Sequence, residues 1–480
     1  MKKCLLFLGL LGAASSAQAQ TPINLGPWVR VNTTNLSSYA PGYSALHVNT
    51  VSPNVAWTVA QDLTNGNANY FFVTNNAAGT EFYFDAISAS GANQTYETSN
   101  ISGISATTAV AAKYGSSTTA PGGGDILRTT NGGLQWIRTS NNNQFVAANG
   151  GFLDFVHMFN ANEGVAVGDP TNGYFEILRT TNGGVTWTRI PQTATITPFA
   201  GEAALVRSYF ALGDIIWFGG ASQGATDQER VYKSIDKGVT WTVSAPTPLT
   251  ETISKIAFKD AMNGIAYNTK VTAQQTSAVN VIRTSDGGDT WQAITPNNTN
   301  TGSFFYYDID AVNGRYYTVG QRYPSVRGAA DFGSSYSTDG VNWTNLNNSQ
   351  GFFAVDLIAS GTNDAVGYAA ASTDSVGVGG IFKTASLLAK RDAVTQRELS
   401  VYPNPSADGV FNVNLGSAMK AGAQITVVDA MGRVVKTQAL NATTVGSRTF
   451  SIDLSGEKTG IYTLQLRGEA GIATQKLVIN

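Results

Sequence analysis

Short segments in which apolar and polar residues alternate follow one another along most of the chain, separated by clusters of Gly, Asn, Asp, Ser and Thr. Alternation with a period of two is typical of half-buried β-strands, and such clusters are typical of tight turns. The 480 residues include 51 glycines but only 14 prolines, which indicates a turn-rich folded chain rather than a disordered polymer. The pattern predicts an all-β protein.

One turn, together with its flanking strands, recurs along the chain. The five intact copies are RTTNGGLQW (128–136), RTTNGGVTW (179–187), KSIDKGVTW (233–241), RTSDGGDTW (283–291) and YSTDGVNW (336–343). A sixth, degraded copy has Thr74, Asn76, Gly79 and Phe82 in the matching places. The aromatic positions 82, 136, 187, 241, 291 and 343 are 50 to 54 residues apart, and a fixed period of this size is typical of a propeller or a solenoid.

The residue types of the turn have a physical explanation. An Asp or Asn side chain accepts hydrogen bonds from backbone N–H groups of the turn, a Ser or Thr hydroxyl helps to close it, and Gly adopts a positive φ. We predict the turn acceptors to be Asn131, Asn182, Asp236, Asp286 and Asp339. The tryptophans that follow are predicted to pack between neighbouring sheets; they are Trp136, Trp187, Trp241, Trp291 and Trp343.

Four strand patterns per repeat predict one propeller blade per repeat. The third strand of each repeat precedes the turn, and the fourth, outer strand follows it. The pattern of the third strand occurs seven times if residues 72–74 and 381–384 are counted, but no outer-strand pattern follows the last copy. Residues 28–31 match an outer strand and precede Phe82 by 54 residues. The sequence therefore predicts that this N-terminal strand completes a seventh blade and closes the ring; the alternative is six blades with stray ends.

The repeats resemble Asp-box repeats, also called bacterial neuraminidase repeats, whose pattern is Ser/Thr-x-Asp-x-Gly-x-Thr-Trp. The resemblance covers about residues 28 to 384 and implies a seven-bladed β-propeller. Families that share the box include sialidases, xyloglucan-type glucanases, sortilin-like receptors and photosystem assembly factors. The Arg-Thr-Thr-Asn-Gly-Gly form is most similar to the assembly-factor group, which is non-enzymatic, whereas the sialidase fold has six blades.

Composition excludes several chemistries. Charged residues make up 13% of the chain, against about 25% in a typical domain, and 30 basic and 32 acidic residues leave a net charge of −2, so we expect no nucleic-acid partner. The chain has two histidines, His47 and His157, and one cysteine, Cys4. A cysteine nucleophile, a cysteine zinc site and disulfides are thereby excluded from the mature protein, and neither histidine lies in a motif of a catalytic triad.

The N-terminus has the pattern of an export signal. Lys2 and Lys3 precede an apolar run at 5–14, and small residues at 17 and 19 predict a signal peptide of residues 1–19, cleaved before Gln20. About 10 apolar residues are too few to span a bilayer, so we expect no transmembrane segment. A propeller at 20–388 and a charged linker at 389–398 would follow.

Residues 399–480 are predicted to form a second all-β module, a small Ig-like β-sandwich. The module contains Tyr-Pro-Asn-Pro from Tyr402, a turn with Asp429, Gly432 and Arg433, Gly-x-Tyr from Gly460, and a terminal strand from Lys476. In these features and their order, the sequence closely resembles the type A C-terminal sorting domain of the type IX secretion system of Bacteroidota. The resemblance implies export through the periplasm, passage to the outer surface and a partnership with the secretion machinery; the alternative is an ordinary carbohydrate-binding sandwich.

Several aspartates between apolar residues mark a candidate site on the innermost strands, near the channel mouth on the face opposite the turns. They are Asp154, Asp308, Asp310 and Asp356. Paired carboxylates there could serve as acid and base for inverting glycoside hydrolysis, or bind calcium; alternatively each aspartate caps backbone N–H groups. Nearby tyrosines could stack on a sugar or pack in the core; they are Tyr306, Tyr307, Tyr316, Tyr317 and Tyr323.

A basic residue also precedes the turn in five of the seven repeats. These residues are Arg128, Arg179, Lys233, Arg283 and Lys383. In a chain with so few charges they could form a ring that faces an anionic ligand, or they could be ordinary solvated positions. No metal site and no cofactor are predicted.

The sequence therefore favours a secreted or cell-surface propeller that binds a carbohydrate or a surface protein. The alternative is a secreted glycoside hydrolase that acts on a polysaccharide through the aspartates, so enzymatic activity stays open.

Overall fold

The structure is a computed structural model. It describes residues 28–34, 42–64, 66–74, 76–117, 120–194, 197–222, 228–250, 252–271, 277–297, 302–322, 332–347, 351–360, 364–371, 380–384, 399–415, 424–429, 433–440, 449–468 and 471–480. The chain divides into two compact units, Met1–Thr384 and Ala385–Asn480. The predicted signal peptide and the predicted linker lie outside the described residues.

Both units are built from β-strands, as the alternating pattern predicts. The first half of the N-terminal unit contains β1 (Trp28–Arg30), β2 (Asn32–Thr34), β3 (Tyr43–Ser52), β4 (Val55–Asp62), β5 (Tyr70–Thr74), β6 (Glu81–Ala86), β7 (Glu97–Gly103), β8 (Ala109–Ser117), β9 (Ala120–Thr129), β10 (Ile137–Arg138), β11 (Leu153–Met158), β12 (Gly164–Thr171), β13 (Tyr174–Thr180) and β14 (Thr188–Arg189). Short 3₁₀ turns occur at Ala147–Asn149 and Gln192–Ala194.

The second half of the unit continues in the same way. Its strands are β15 (Glu202–Ala203), β16 (Tyr209–Leu212), β17 (Ile215–Gly219), β18 (Ala221–Ser222), β19 (Val231–Ser234), β20 (Thr242–Val243), β21 (Lys255–Phe258), β22 (Gly264–Val271), β23 (Ser277–Thr284), β24 (Gln292–Ile294), β25 (Asp308–Val312), β26 (Arg315–Gln321), β27 (Phe332–Ser337), β28 (Thr344–Asn347), β29 (Ala354–Ala359), β30 (Ala365–Ala370) and β31 (Ile381–Thr384).

Within the described residues of this unit, the strands form seven sheets of four or five strands, which we number in chain order. Their strand orders are β3-β4-β5-β6-β2 (sheet 1), β7-β8-β9-β10 (sheet 2), β11-β12-β13-β14 (sheet 3), β16-β17-β19-β20 (sheet 4), β21-β22-β23-β24 (sheet 5), β25-β26-β27-β28 (sheet 6) and β29-β30-β31-β1 (sheet 7). β15 and β18 form a separate small pair. Each sheet is antiparallel except for the pairing of β2 with β6.

The N-terminal strand β1 completes sheet 7, as the repeat spacing predicts. β1 pairs with β31 in antiparallel register, with Trp28 opposite Thr384 and Arg30 opposite Phe382. The backbone N–H of Val31 donates to the carbonyl of Ile381 at 3.1 Å. The two ends of the unit are thus held together in one sheet.

Each repeated turn is closed by the same pattern of hydrogen bonds. In sheet 5, the hydroxyl of Thr284 donates to Asp286 at 2.7 Å and accepts the N–H of Gly288 at 3.0 Å, while Asp286 accepts the N–H of Thr290 at 3.0 Å. Gly288 has a φ of +94°, in the left-handed region that favours glycine. Corresponding bonds join the residues Thr129, Asn131 and Gly133; Thr180, Asn182 and Gly184; Ser234, Asp236 and Gly238; and Ser337, Asp339 and Gly340.

The aromatic residue after each turn lies between its own sheet and the preceding one. Trp136, Trp187, Trp241, Trp291 and Trp343 are all nearly fully buried. Trp187, for example, packs with Val110 and Leu178, and Trp291 with Trp217 and Ile282. In sheet 1 the corresponding Phe82 packs against Tyr368 of sheet 7, with ring centroids 5.5 Å apart. Sheets 7 and 1 therefore contact each other as consecutive sheets do.

The C-terminal unit is described by itself. It contains β32 (Leu399–Tyr402), β33 (Val410–Leu415), β34 (Gln424–Asp429), β35 (Val434–Ala439), β36 (Thr449–Asp453), β37 (Gly460–Gly468) and β38 (Gly471–Ile479). Two sheets, β32-β33-β36 and β35-β34-β37-β38, share an apolar core that includes Phe411, Ile425, Leu464 and Leu477. This is the small two-sheet arrangement that the sequence predicts.

Candidate functional site: the cavity between the first strands

The first strands of the seven sheets lie side by side. Contacts join β3 to β7, β7 to β11, β16 to β21, β21 to β25, β25 to β29 and β29 to β3. Between β11 and β16, the rings of Phe155 and Tyr209 stack with centroids 4.2 Å apart. A cavity of about 480 Å³ lies against six of these strands and is lined by segments 47–50, 209–213, 308–313 and 355–359 with His157, Arg207, Lys255 and Lys259.

The cavity follows the first strands along their length. It extends from Arg207, which precedes β16, to Gly213, in the turn that follows β16. That turn lies at the same end of sheet 4 as the repeated turn, since Leu212 is opposite Ile215 and Ile216 is opposite Ser234. The sequence predicts a site at the opposite face, whereas the cavity also reaches the end that carries the repeated turns.

Three of the four candidate aspartates line this cavity, and each accepts a hydrogen bond from the backbone of the next sheet. Asp308 accepts the N–H of Val355 at 3.0 Å, and Asp310 accepts the N–H of Leu357 at 2.6 Å. Asp356 in turn accepts the N–H of Thr50 in sheet 1. In the described sheets, each first strand is an edge strand and has no strand partner on one side. These carboxyl groups therefore satisfy N–H groups that would otherwise be unpaired.

Neutral side chains do the same at other contacts between first strands. Asn49 accepts the N–H of Gly103 at 2.7 Å, and Ser102 accepts the N–H of Met158 at 2.9 Å. Asn100 both accepts the N–H of Val156 at 3.0 Å and donates to its carbonyl at 2.7 Å. The polar residues of the first strands thus join neighbouring sheets, in agreement with the structural alternative raised for the aspartates.

Burial raises the pKa of two of these carboxyl groups. The pKa of Asp310 is raised to about 7, and that of Asp356 lies well above its usual range, with the neighbouring carboxylates adding to the effect. Asp308 instead forms an ion pair with Lys255, with Oδ1 and Nζ 2.8 Å apart. A protonated carboxyl group beside an ion-paired carboxylate is an arrangement that acid–base chemistry can use.

Asp154, the fourth candidate, lies apart from these three. It is buried in β11, and burial together with Asp169 of β12 raises its pKa well above the usual range. Its Oδ2 atom has no hydrogen-bond partner within the described part of the chain. The structure therefore brings Asp308, Asp310 and Asp356 together and leaves Asp154 outside the group.

Both histidines line the cavity, although neither lies in a sequence motif. Nε2 of His47 lies 3.3 Å from the carbonyl oxygen of Ile101, and the His157 ring packs edge-on against Phe159 and Tyr209. Burial lowers the pKa of His47 to about 3 and that of His157 to about 4. Both imidazoles are therefore neutral at neutral pH and can donate or accept a hydrogen bond.

The five repeated cations do not line the cavity in the described structure; each contacts the repeated turn of the next sheet. Arg128 donates to the Gly183 carbonyl at 2.8 Å, Arg179 to the Lys237 carbonyl at 3.0 Å, Arg283 to the Asp339 carbonyl at 3.2 Å and Lys383 to the Ala78 carbonyl at 2.6 Å, while Lys233 pairs with Asp289 at 2.5 Å. These contacts join adjacent sheets, so an anion-binding ring at these positions stays a prediction.

The candidate tyrosines divide into two groups. Tyr316 and Tyr317 are buried in β26 among apolar side chains, as packing residues are. Tyr306 and Tyr307 precede β25, and both hydroxyls donate to Gln321, at 2.8 and 3.3 Å. The half-exposed Tyr307 ring stacks on Phe353 with centroids 5.7 Å apart. Tyr323 lies outside the described residues.

The raised carboxyl pKa values predict how stability depends on pH. The folded protein keeps protons on Asp356 and Asp310 that the unfolded chain releases above about pH 4. The contribution of these two groups to the free energy of unfolding is therefore fully present below pH 4. It is lost as pH rises through the pKa of the folded state, which is about 7 for Asp310. In Asp356→Asn the amide oxygen can still accept the N–H of Thr50. We expect the free energy of unfolding of this variant to be higher than that of the wild type by more than about 1 kcal/mol at pH 8, and we expect this difference to disappear at pH 5.

Urea unfolding across pH 4 to 9 would measure this dependence. The histidines act in the opposite direction, because the unfolded chain takes up protons below pH 6.5 that His47 and His157 resist. The histidine contribution therefore falls as pH decreases from about 6.5 and offsets part of the carboxyl contribution, so the difference between Asp356→Asn and the wild type, in which the histidine contribution cancels, is the quantity to compare. Ala261→Ser, an uncharged change at an exposed position after β21, serves as the control and should leave the profile unchanged. An advantage of Asp356→Asn over the wild type that is equally large at pH 5 and at pH 8 would contradict the prediction.

The residues that the structure describes contain no group of three or more His, Cys, Asp or Glu side chains placed to hold a metal ion. No helix among them is long and apolar enough to cross a membrane.

In the C-terminal unit, the motif residues hold the sheets and turns together. Asn404 donates to the Lys476 carbonyl at 2.6 Å and accepts the N–H of Val478 at 2.9 Å. Asp429 pairs with Arg433 at 2.7 Å across its turn. The hydroxyl of Tyr462 donates to the Lys458 carbonyl at 2.6 Å. Gly432 lies outside the described residues.

Comparison with solved structures returns weak similarities. They include PorZ, an essential surface component of the type IX secretion system of Porphyromonas gingivalis (11% identity over 89% of this chain and 68% of that one, TM-score 0.35). A xyloglucanase from Xanthomonas campestris is 13% identical over 84% and 70% (TM-score 0.25), and a Hadza microbial sialidase is 12% identical over 72% and 66% (TM-score 0.37). The chain spans about two thirds of the length of each.

Comparison by sequence gives a family match for the C-terminal unit. No curated protein matches the chain. Residues 400–480 match the family described as the secretion system C-terminal sorting domain, which confirms the resemblance inferred from the Tyr-Pro-Asn-Pro, Asp429–Arg433 and Gly-x-Tyr features. This segment is therefore the sorting domain of a type IX secretion substrate, and it indicates that the protein is secreted to the outer cell surface or the extracellular space.

Proposed function

We propose that the N-terminal unit is a closed seven-bladed β-propeller that binds a ligand in the cavity between its first strands, outside the cell or at its surface. Each of the seven sheets would be one blade. The observation that carries the proposal is this cavity of about 480 Å³, lined by polar and titratable side chains from different sheets. Its volume lies within the range of small-molecule and sugar sites.

Three contacts support closure of the ring. β1 completes sheet 7 through its pairing with β31, Phe82 of sheet 1 packs on Tyr368 of sheet 7, and Asp356 of sheet 7 bonds to Thr50 of sheet 1. The five repeated turns, with their buried tryptophans, support an Asp-box assignment for the blades. A closed ring of sheets leaves no blade without neighbours on both sides.

The engagement of the aspartates favours binding over hydrolysis. Asp308, Asp310 and Asp356 each accept a backbone N–H of the neighbouring sheet, so their carboxyl groups have a structural role that ionisation changes during catalysis would disturb. A glycoside hydrolase needs one acid and one base free to exchange protons with the substrate. We therefore propose a binding protein that the sorting domain delivers through contacts with the secretion machinery.

One observation favours the second candidate, a glycoside hydrolase acting on a polysaccharide. Asp310, with its pKa raised to about 7, lies two residues from Asp308, which is ion-paired to Lys255. Such a difference between two nearby carboxyl groups is typical of an acid–base pair. The aspartates would then act as catalytic residues in the same cavity.

Polysaccharide binding and reducing-sugar release by the mature chain test the two candidates together. We expect retention of at least one polysaccharide class without release of reducing ends. Ala359→Trp places a large ring at the exposed rim of the cavity and should weaken retention at least tenfold, whereas Ala261→Trp, in the exposed turn after β21, should change it less than twofold.

Release of reducing sugars that disappears in an Asp308→Asn, Asp356→Asn double variant, with folding verified by circular dichroism, would instead establish the hydrolase. Retention that Ala359→Trp leaves unchanged would place the binding site outside the cavity and contradict the proposal.

A further inference from the structure

Arg207 enters the cavity from a position that no repeat motif predicts. It immediately precedes Ser208 and β16, and its φ is +63°, in the left-handed region that residues with a β-carbon rarely adopt. Such backbone conformations persist where the surrounding structure enforces them, and they are concentrated at functional sites.

Among the residues that the structure describes, none supplies a carboxylate partner to the guanidinium of Arg207. Nη1 donates to the carbonyl of Leu46, in β3 of sheet 1, at 3.3 Å, and no salt bridge joins Arg207 to any other residue that the structure describes. Asp308 and Glu97 act on the guanidinium at longer range, but Asp308 pairs with Lys255 and Glu97 accepts the hydroxyl of Tyr114 at 3.3 Å. A half-buried cation without a counterion is costly, which favours an anion beside it.

The rest of the cavity wall adds positive charge. Lys255 and Lys259 line it with Arg207. Lys255 pairs with the carboxylate of Asp308, whereas Lys259 donates to an uncharged group, the carbonyl of Thr338. The remaining carboxyl groups do not offset this charge fully, because burial raises the pKa of Asp310 to about 7 and that of Asp356 well above its usual range. His47 and His157 are neutral. The cavity is therefore electropositive within a chain of net charge −2.

We propose that the cavity binds an acidic ligand, with the two-pronged guanidinium of Arg207 holding a carboxylate or phosphate group. This inference rests on the proposed function and names the ligand class. A guanidinium donates two parallel hydrogen bonds to two oxygens of one carboxylate or phosphate, which gives orientation as well as affinity. Acidic sugars and sugar phosphates carry such groups on a body that the cavity volume accommodates.

Calorimetric titration of the mature full-length chain tests the inference with paired probes. Trigalacturonate is compared with neutral maltotriose, and glucose 6-phosphate with glucose, so that the two pairs separate a carboxylate from a phosphate ligand. We expect at least one acidic probe to bind at least tenfold more tightly than its neutral counterpart. In Arg207→Asn, chosen because Asn tolerates a positive φ, the affinity for that probe should fall about 10- to 100-fold.

Two further variants separate the guanidinium from general charge and folding effects. Arg207→Lys keeps the charge but not the fork and should bind with intermediate affinity. Arg30→Gln removes one charge at an exposed position on β1 and should change affinity less than twofold. The inference is overturned if acidic and neutral probes bind equally, or if the affinity for the acidic probe is unchanged in Arg207→Asn. In either case, a loss of polysaccharide retention in Ala359→Trp would still support a ligand in the cavity. Absence of binding by every acidic probe at millimolar concentration also overturns the inference.

Discussion

In a chain that begins at Asn32, and therefore lacks β1, we expect the free energy of unfolding to be at least about 4 kcal/mol lower than in the mature protein. β1 pairs with β31, and its Trp28 ring packs on Phe352 with centroids 5.2 Å apart, while its indole N–H donates to Ser334 at 3.3 Å. Removal of a large aromatic ring from an apolar contact costs about 3 kcal/mol, and each lost hydrogen bond about 1 kcal/mol. Because typical domains have a total stability of 5–15 kcal/mol, the effect would be large.

The matched control is a chain that begins at Trp28, which retains β1 and should behave like the full mature chain. Urea unfolding followed by tryptophan fluorescence measures the difference, and light scattering tests for aggregation through the exposed edge of β31. If the two truncated chains have the same midpoint, β1 is not needed to complete sheet 7, and closure of the ring through β1 is wrong.

Replacing Trp217 by Ala is expected to destabilise the N-terminal unit by about 4 kcal/mol. The side chain is fully buried, and its ring stacks on Phe258 of sheet 5 with centroids 3.8 Å apart. Its indole N–H donates to the Gly287 carbonyl, in the repeated turn of sheet 5, at 2.9 Å. The substitution leaves a cavity between sheets 4 and 5 and a carbonyl without its partner, and both effects are costly.

Trp217→Phe separates these two effects. It keeps a ring above Phe258 but removes the indole donor, so we expect a loss of about 1–2 kcal/mol rather than about 4. The measurement is again urea unfolding, with a constant slope as evidence that the compactness of the unfolded chain is unchanged. A loss in Trp217→Ala below about 1.5 kcal/mol would show that sheets 4 and 5 do not depend on this contact.

The strands and turns could be predicted from the sequence because their causes are local. An Asp or Asn two residues after a Ser or Thr, followed by glycine, forms the same hydrogen bonds wherever it occurs, as Asp286 and Asn182 do. The period of 50 to 54 residues then predicts the order of the sheets, and the extra outer-strand pattern at 28–31 predicts the pairing of β1 with β31. The sorting domain was identified in the same way, from short motifs in order.

The candidate site could be predicted only in part. The aspartates were singled out because an acidic residue between apolar neighbours is unusual, and three of them do line one cavity. Arg207, Lys255, Lys259 and the two histidines gave no signal, since isolated residues outside a motif do not reveal what they face. The only pattern that they share is a basic or imidazole residue on a first strand or within two residues of one of its ends.

The sequence by itself determined the all-β class, the repeated turns, the strand that completes sheet 7 and the sorting domain, because each depends on neighbouring residues or on spacing along the chain. Tertiary structure decided which polar groups meet. It placed Arg128 and its counterparts against the next repeated turn, separated Asp154 from Asp308, and brought Arg207, which precedes β16, to Leu46 of sheet 1. Arg207 and Leu46 are 161 positions apart and Asp356 and Thr50 are 306 positions apart, so only the packing of the sheets sets their distance.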